Sequence, residues 1–170
     1  MQAIELKYLT TYSESIKNQV RLLVAQNKLA EVLFQKYPTA HSITTDKSLY
    51  EYVVMLKNNS MRNSAQLNRA LFDSKIQVIK HALGLHTSIS KVQGSKLQTK
   101  REIRIASLFK HTPIEFLKMI TVHELAHFKE YDHNKAFYQL CMSMEPNYHQ
   151  FEFDLRLYLT HLDLSKEPLW

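Results

Sequence analysis

The stretch His123-Glu124-Leu125-Ala126-His127, followed six residues later by His133, is the most informative part of this chain. Residues four apart lie on one face of a helix, so His123 and His127 can direct ring nitrogens at one metal ion. Glu124 then projects beside that ion, where it can take a proton from a bound water. The pattern therefore predicts a catalytic zinc site with Glu124 as the general base.

The third protein ligand is less strongly determined than the first two. A catalytic zinc ion typically has three protein ligands and a water. His133 is the nearest candidate after the helix, and a carboxylate from a later helix is the alternative, with Glu152 preferred over Glu145. Three side chains are candidates for stabilising an oxyanion near the cleft, and the sequence does not choose among them: Tyr131, Tyr138 and His111.

Length and composition favour one compact, helix-rich domain. The chain has 170 residues, of which 45% are hydrophobic, with 2 glycines and 4 prolines; such a composition suits a packed core of long helices. The single cysteine, Cys141, excludes an intramolecular disulfide and fits a reducing compartment. The first twelve residues lack an apolar signal region, and no apolar run reaches the roughly 20 residues of a membrane span. We expect a cytoplasmic protein.

The net charge of +6 permits a polyanionic partner without demonstrating one. Part of the excess lies in one segment that contains a single acidic residue, Glu102. This segment is either a solvated loop or a contact surface for an anion such as nucleic acid. Its cations are Lys91, Lys96, Lys100, Arg101 and Arg104.

Periodicity and turn signals predict the elements before the histidine motif. A first helix is expected over 11–37, from a Thr11–Glu14 capping box to Pro38. The β-branched and aromatic run 49–56 predicts a strand, and the spacing of apolar residues predicts a second helix over 64–83. Two short strands, 85–92 and 101–108, are predicted to form a hairpin around a turn at 93–95.

The strongest local signal starts the helix that carries the histidines. Thr112 is expected as its N-cap, Pro113 as its first residue and Glu115 as the partner in a capping box. The helix is expected to run to about residue 130. Asp132 or Asn134 then caps the next helix, which ends at Pro146, and a last helix covers 151–161.

The motif resembles a known family. His123 to His127, then His133, then Phe137-Tyr138 is similar to the pattern H-E-L-x-H-x5-H-x3-F-[WY] of the YgjP-like metallopeptidases, which are related to WLM and SprT-like domains. The resemblance covers about 101–140. It implies a minimal zincin fold, with zinc held by His123, His127 and His133 and with Glu124 as the base.

The expected fold class is thus α+β: a helix-rich minimal zincin-like metallopeptidase domain with a small mixed β-sheet. One domain would span 1–170, with a helical region over 1–48 and a metal-site core over about 85–145. The resemblance further implies that Phe137 and Tyr138 pack the following helix against the site. It also implies that the strand beginning at Arg101 aligns an extended peptide along the cleft.

Two functions of different class follow. The first is a zinc-dependent peptidase, with DNA-associated proteins as a secondary substrate class by analogy to SprT and WLM relatives. The second is a non-catalytic module that binds nucleic acid or protein and uses zinc only to brace its fold. An intact Glu124 argues against the second, because a structural site has no use for a general base.

Overall fold

A computed structural model describes residues 4–76 and 101–170 of the chain. Within these residues the protein has six α-helices and a two-stranded parallel sheet, which confirms the predicted α+β class. The helices are α1 (Glu14–Ala25), α2 (Leu29–Lys36), α3 (Asp46–Ser60), α4 (Ile114–Ala126), α5 (Lys135–Met144) and α6 (Tyr148–Ser165). The strands are β1 (Leu67–Asp73) and β2 (Arg101–Ala106).

The predicted first helix is wrong in its length, because it is two helices. Ser13, not Thr11, caps α1, and its hydroxyl accepts a hydrogen bond from the Ile16 amide at 3.4 Å. The chain turns between α1 and α2 at Asn27, whose φ of 55° is left-handed. Asparagine tolerates this conformation better than most residues, so the turn is possible without glycine.

The predicted strand over 49–56 is wrong, because these residues belong to α3. Thr45 and Ser48 form a reciprocal capping box at the start of the helix. Leu49, Val53 and Lys57 are buried at a spacing of four residues, which is a helical repeat. Capping and this buried stripe outweigh the strand propensity of the β-branched and aromatic residues between them.

The predicted helix over 64–83 is wrong where the structure describes it, since residues 67–73 form β1. Leu67, Ala70 and Phe72 of this strand are buried. β1 pairs in parallel with β2, with Leu71 opposite Arg104. The remainder of the predicted helix lies outside the described residues.

The predicted strand over 101–108 is confirmed for Arg101–Ala106, where Ile103 and Ile105 face the core. Residues 107–111 form a short 3-10 helix instead. The other arm of the predicted hairpin, 85–92, and its turn at 93–95 lie outside the described residues. The two described strands run parallel. The described residues therefore contain no antiparallel pair, and the predicted mixed sheet stays a prediction.

Helix α4 is the centre of the core. Nine of its thirteen residues are buried, on all sides of the helix, and it packs against α3, α5, α6 and β2. It begins one residue later than predicted: Pro113 is the N-cap residue, and the Thr112 hydroxyl donates to the Phe109 carbonyl at 3.2 Å instead of capping the helix. It also ends earlier, at Ala126, because residues 127–130 form a turn.

The last two helices follow the sequence closely. Asn134 caps α5 as predicted, with its side-chain oxygen accepting from the Phe137 amide at 2.9 Å. Helix α6 contains the predicted 151–161 and extends it at both ends. Among the described residues, none of the helices has the length and apolar character needed to cross a bilayer.

Candidate metal centre

Three histidine rings converge at the end of helix α4. His123 lies in the last turn of the helix, His127 is its C-cap residue, and His133 lies in the loop that leads to α5. The Nε2 atoms of His123 and His127 are 3.3 Å apart. The Nε2 atom of His133 is 3.0 Å from that of His127 and 3.1 Å from that of His123. The three atoms therefore form a nearly equilateral triangle.

This triangle has the size that a tetrahedral metal ion requires. An ion with metal–nitrogen bonds of about 2.0–2.1 Å holds its ligand nitrogens about 3.3 Å apart. Nε2 atoms that all carried protons would repel one another at these separations. Three lone pairs directed at a common cation remove that conflict, and the donor set of three imidazoles fits a divalent metal.

A backbone contact fixes the tautomer of His127. Its Nδ1 atom lies 2.9 Å from the Glu130 carbonyl oxygen, which can only accept a hydrogen bond. Nδ1 therefore carries the proton, and the Nε2 lone pair points to the other histidines. The turn that ends α4 thus orients one prospective ligand, in the manner of the outer contacts of metal-bound histidines.

Tyr148 makes the corresponding contact to His123. Its hydroxyl lies 2.7 Å from His123 Nδ1, and the residue is 1% exposed at the start of α6. Sequence reasoning missed Tyr148, because no local spacing links it to a histidine 25 residues earlier.

The pKa of the buried His123 imidazole is lowered well below its usual value. Burial is the main cause, and the two neighbouring imidazoles add to it. The ring is therefore neutral, which is the form in which histidine binds metals.

Phe137 forms an apolar wall behind all three histidines. Its ring centroid lies 4.9 Å from that of His123, 4.6 Å from that of His127 and 4.7 Å from that of His133. Phe137 itself is fully buried on α5. The neighbouring Tyr138 is half-buried, with its ring 6.4 Å from that of His133. The aromatic pair thus packs α5 against the histidines, as the resemblance implies.

Glu124 follows His123 on α4 and is intermediate between buried and exposed. Burial raises the pKa of its carboxyl to about 7. An acid with such a pKa exchanges protons readily at neutral pH, as a general acid or base must. Its role as the base stays a prediction.

The two carboxylates that are alternatives for the third ligand lie outside the group of three histidines. Glu145 is buried and forms an ion pair with Lys118, and Glu152 forms one with Arg156 at 2.8 Å. Neither belongs to the group of described side chains that converge for a metal ion, which consists of His123, His127 and His133. The structure therefore supports His133 over either carboxylate as the third candidate ligand.

Two of the side chains that are candidates for stabilising an oxyanion lie at the surface. Tyr131 is 63% exposed, and His111 is also exposed.

Two cations of the basic segment contact the protein: the Arg101 guanidinium donates to the Phe128 carbonyl at 2.9 Å, and Arg104 pairs with Asp73 and Glu102. The three lysines of that segment lie outside the described residues.

Comparisons with known proteins identify a family and a curated relative. A family model described as "YgjP-like, metallopeptidase domain" matches residues 64–158, more than half of the chain and a range that includes all three histidines. A curated relative from Escherichia coli (strain K12), named UTP pyrophosphatase, is 52% identical over 164 residues. These residues make up 96% of this chain and 98% of the relative. No solved structure matches the chain.

Proposed function

Since this chain belongs to the YgjP-like metallopeptidase family, we propose that it is a zinc-dependent hydrolase that cleaves UTP to UMP and pyrophosphate. The Nε2 atoms of three histidines converge, and Glu124 directly follows one of these histidines, His123, in the sequence. This observation carries the hydrolase part of the proposal. The substrate is taken from the relative's name, because identity of 52% extends over nearly the full length of both chains.

The chemistry requires a metal ligand set, a base and a leaving group. A zinc ion held by His123, His127 and His133 would supply a Lewis acid for the phosphate and lower the pKa of the attacking water. Glu124 takes the proton of that water. The water oxygen bonds to the α-phosphorus, the bond from the α-phosphorus to the bridging oxygen breaks, and its electron pair leaves with pyrophosphate. Glu124 can then return the proton to the leaving group.

The test compares the zinc-loaded protein with its Glu124→Gln variant. We expect the protein to convert UTP to UMP and pyrophosphate in equal amounts, measured by ion-exchange chromatography. The variant should lose about 10²–10⁴-fold in rate, the range for a general base, and keep its zinc content. Release of UDP and phosphate, or full activity in the variant, would contradict the proposal.

A peptidase is the second candidate, and two observations favour it. The matched family model is described as a metallopeptidase domain. Strand β2 packs against α4, and β1 is its one partner among the described strands, so an extended peptide could add at its other edge. Peptide-bond cleavage would use the same three histidines and Glu124.

Incubation with an unfolded protein substrate separates the two candidates. Fragments that form with the zinc-loaded protein, but not with Glu124→Gln, would support the peptidase. Excess UTP should inhibit this cleavage if both substrates use one site. If the Glu124→Gln variant keeps every activity that the unchanged protein shows, the result would instead favour the non-catalytic binding module. DNA-associated substrates stay a proposal, and a steep fall of DNA affinity with salt would support it.

A further inference from the structure

A cavity of about 420 Å³ lies between the end of helix α3 and the turn after helix α4. Residues 58–63 line one side, and Lys129 lines the other. Its volume falls within the range of small-molecule sites, which is about 300–1,000 Å³. The cavity is therefore large enough for a phosphorylated small molecule.

The lining is polar and positively charged. It contains three asparagine amides, one serine hydroxyl, the Arg62 guanidinium and the Lys129 ammonium group, with Met61 as the apolar member. None of the described residues in this lining is a carboxylate. Guanidinium and ammonium groups bind phosphate oxygens through charge-assisted hydrogen bonds, and amide N–H groups can add neutral ones. The lining thus suits an anion with several oxygens.

The cations of the lining differ from other cations of the protein in their ion pairing. Within the described residues, the Arg62 and Lys129 side chains have no ion-pair partner. Other cations on β2 and α4 are engaged: Arg104 pairs with Asp73 and Glu102, and Lys118 pairs with Glu145. Among the residues that the structure describes, the charge of the cavity is therefore available to a ligand, whereas these other cations are paired within the protein.

Lys129 links the cavity to the candidate metal centre along the chain. This residue follows His127 by two positions, so their Cα atoms are at most about 7 Å apart. It lies in the same turn as Glu130, whose carbonyl oxygen contacts His127 Nδ1. An anion held by Lys129 would therefore be bound at the turn that carries His127.

We propose that this cavity binds the pyrophosphate end of a nucleoside triphosphate, with Arg62 and Lys129 as the charged contacts. The inference rests on the proposed function and assigns the leaving-group side of the same site. When the bond from the α-phosphorus to its bridging oxygen breaks, the electron pair remains on that oxygen of pyrophosphate. Cations at this position stabilise the added charge.

The experiment uses inorganic pyrophosphate and UMP as separate probes of the zinc-loaded protein. Calorimetry gives the Kd of each probe for the protein and for the double variant Arg62→Gln/Lys129→Gln. The charge-matched control is Lys28→Gln/Lys47→Gln, which changes two exposed lysines outside the cavity. Zinc content and Tm are measured for every variant.

We expect the cavity variant to bind pyrophosphate at least about tenfold more weakly and to show a similar increase in KM for UTP. Its Kd for UMP should stay within about twofold, because UMP lacks the pyrophosphate end. The control should match the unchanged protein for all three quantities. If the double variant does not fold, Arg62→Gln and Lys129→Gln alone should each give part of the effect.

The possible failures are distinguishable. UTP hydrolysis with an unchanged KM and pyrophosphate Kd in a folded cavity variant would overturn the cavity assignment and leave the proposed function intact. An equal loss of UMP and pyrophosphate binding would also overturn the assignment. Pyrophosphate binding that depends on Arg62 and Lys129, in a protein that does not hydrolyse UTP, would contradict the proposed function alone.

Discussion

Two of the buried polar contacts of helix α6 differ in chemistry. The Asp154 carboxylate accepts hydrogen bonds from Lys36 and Tyr37, which tie the end of α2 to α6, and from Gln150 on α6 itself. Six residues earlier on the helix, the Tyr148 hydroxyl contacts His123 Nδ1, and the Nε2 atom of His123 faces those of His127 and His133. We call the first group the Asp154 cluster and the second the histidine triad.

The difference between them distinguishes a structural contact from a ligand site. In the Asp154 cluster, an anion meets a cation and two neutral donors, so the protein itself satisfies the buried charge. In the histidine triad, like atoms converge, and a cation is the group that would satisfy them. The following predictions test this contrast, in order of decreasing effect.

The largest expected effect is the loss of metal from His127→Ala. The unchanged protein should contain one zinc per chain, and the variant should contain none, because two imidazoles alone hold the ion weakly. Elemental analysis of tag-free protein measures the content. His149→Ala, an exposed histidine outside the triad, should keep its zinc. A full equivalent in His127→Ala would mean that the triad is not the site.

Asp154→Ala should lower the free energy of unfolding by about 2–3 kcal/mol without changing the zinc content. The substitution leaves the buried Tyr37 hydroxyl without its acceptor, and an unsatisfied buried group is costly. Urea denaturation measures the change. Asp163→Ala removes a carboxylate from an exposed pair with Lys7 and should leave the midpoint almost unchanged. A loss of zinc from Asp154→Ala would break the contrast.

Tyr148→Phe should weaken zinc binding by about 10–100-fold, the usual effect of removing an outer contact to a metal-bound histidine. The ring stays in the core, so Tm in the presence of excess zinc should change little. Competition with a chelator measures the affinity. Tyr158→Phe makes the same change at a buried position on the same helix, and it should bind zinc normally. Equal affinities for both variants would show that Tyr148 does not orient His123.

Asn134→Ala gives the smallest effect, about 1 kcal/mol in the free energy of unfolding, through the loss of the α5 cap. Because Asn134 follows His133, we also expect a drop in zinc affinity of less than tenfold. Ser13→Ala removes the cap of α1 and should cost a similar stability with no change in zinc affinity. If the two cap variants bind zinc alike, the α5 cap does not help to place His133.

Local signals predicted the histidine triad well. His123 and His127 are one helical turn apart, and His133 follows after a short turn, so spacing alone brings them together. The Asn134 cap is equally local. The outer contact from Tyr148 could not be predicted, because it depends on how α6 packs against α4, and no spacing in the sequence encodes that packing.

The two predictions that assign the wrong type of element have different causes. Over 49–56, the strand propensity of the β-branched and aromatic residues misleads, although the sequence also contains the Thr45–Ser48 capping box that starts α3. Over 67–73, Leu67 and Leu71 fit a helical spacing, yet pairing with β2 decides the outcome. Parallel pairing joins residues more than 30 positions apart, and propensity within a short window cannot report it.

The position of His133 has a consequence for the rate of metal exchange. His123 and His127 belong to a helix in the middle of the core, whereas His133 lies in the short loop between α4 and α5. Opening of that loop detaches one of three ligands while the helix stays folded, and local openings of this kind need far less free energy than global unfolding. A bound ion would therefore dissociate when the loop opens, at a rate set by the opening of the loop. The core would stay folded after the ion has left.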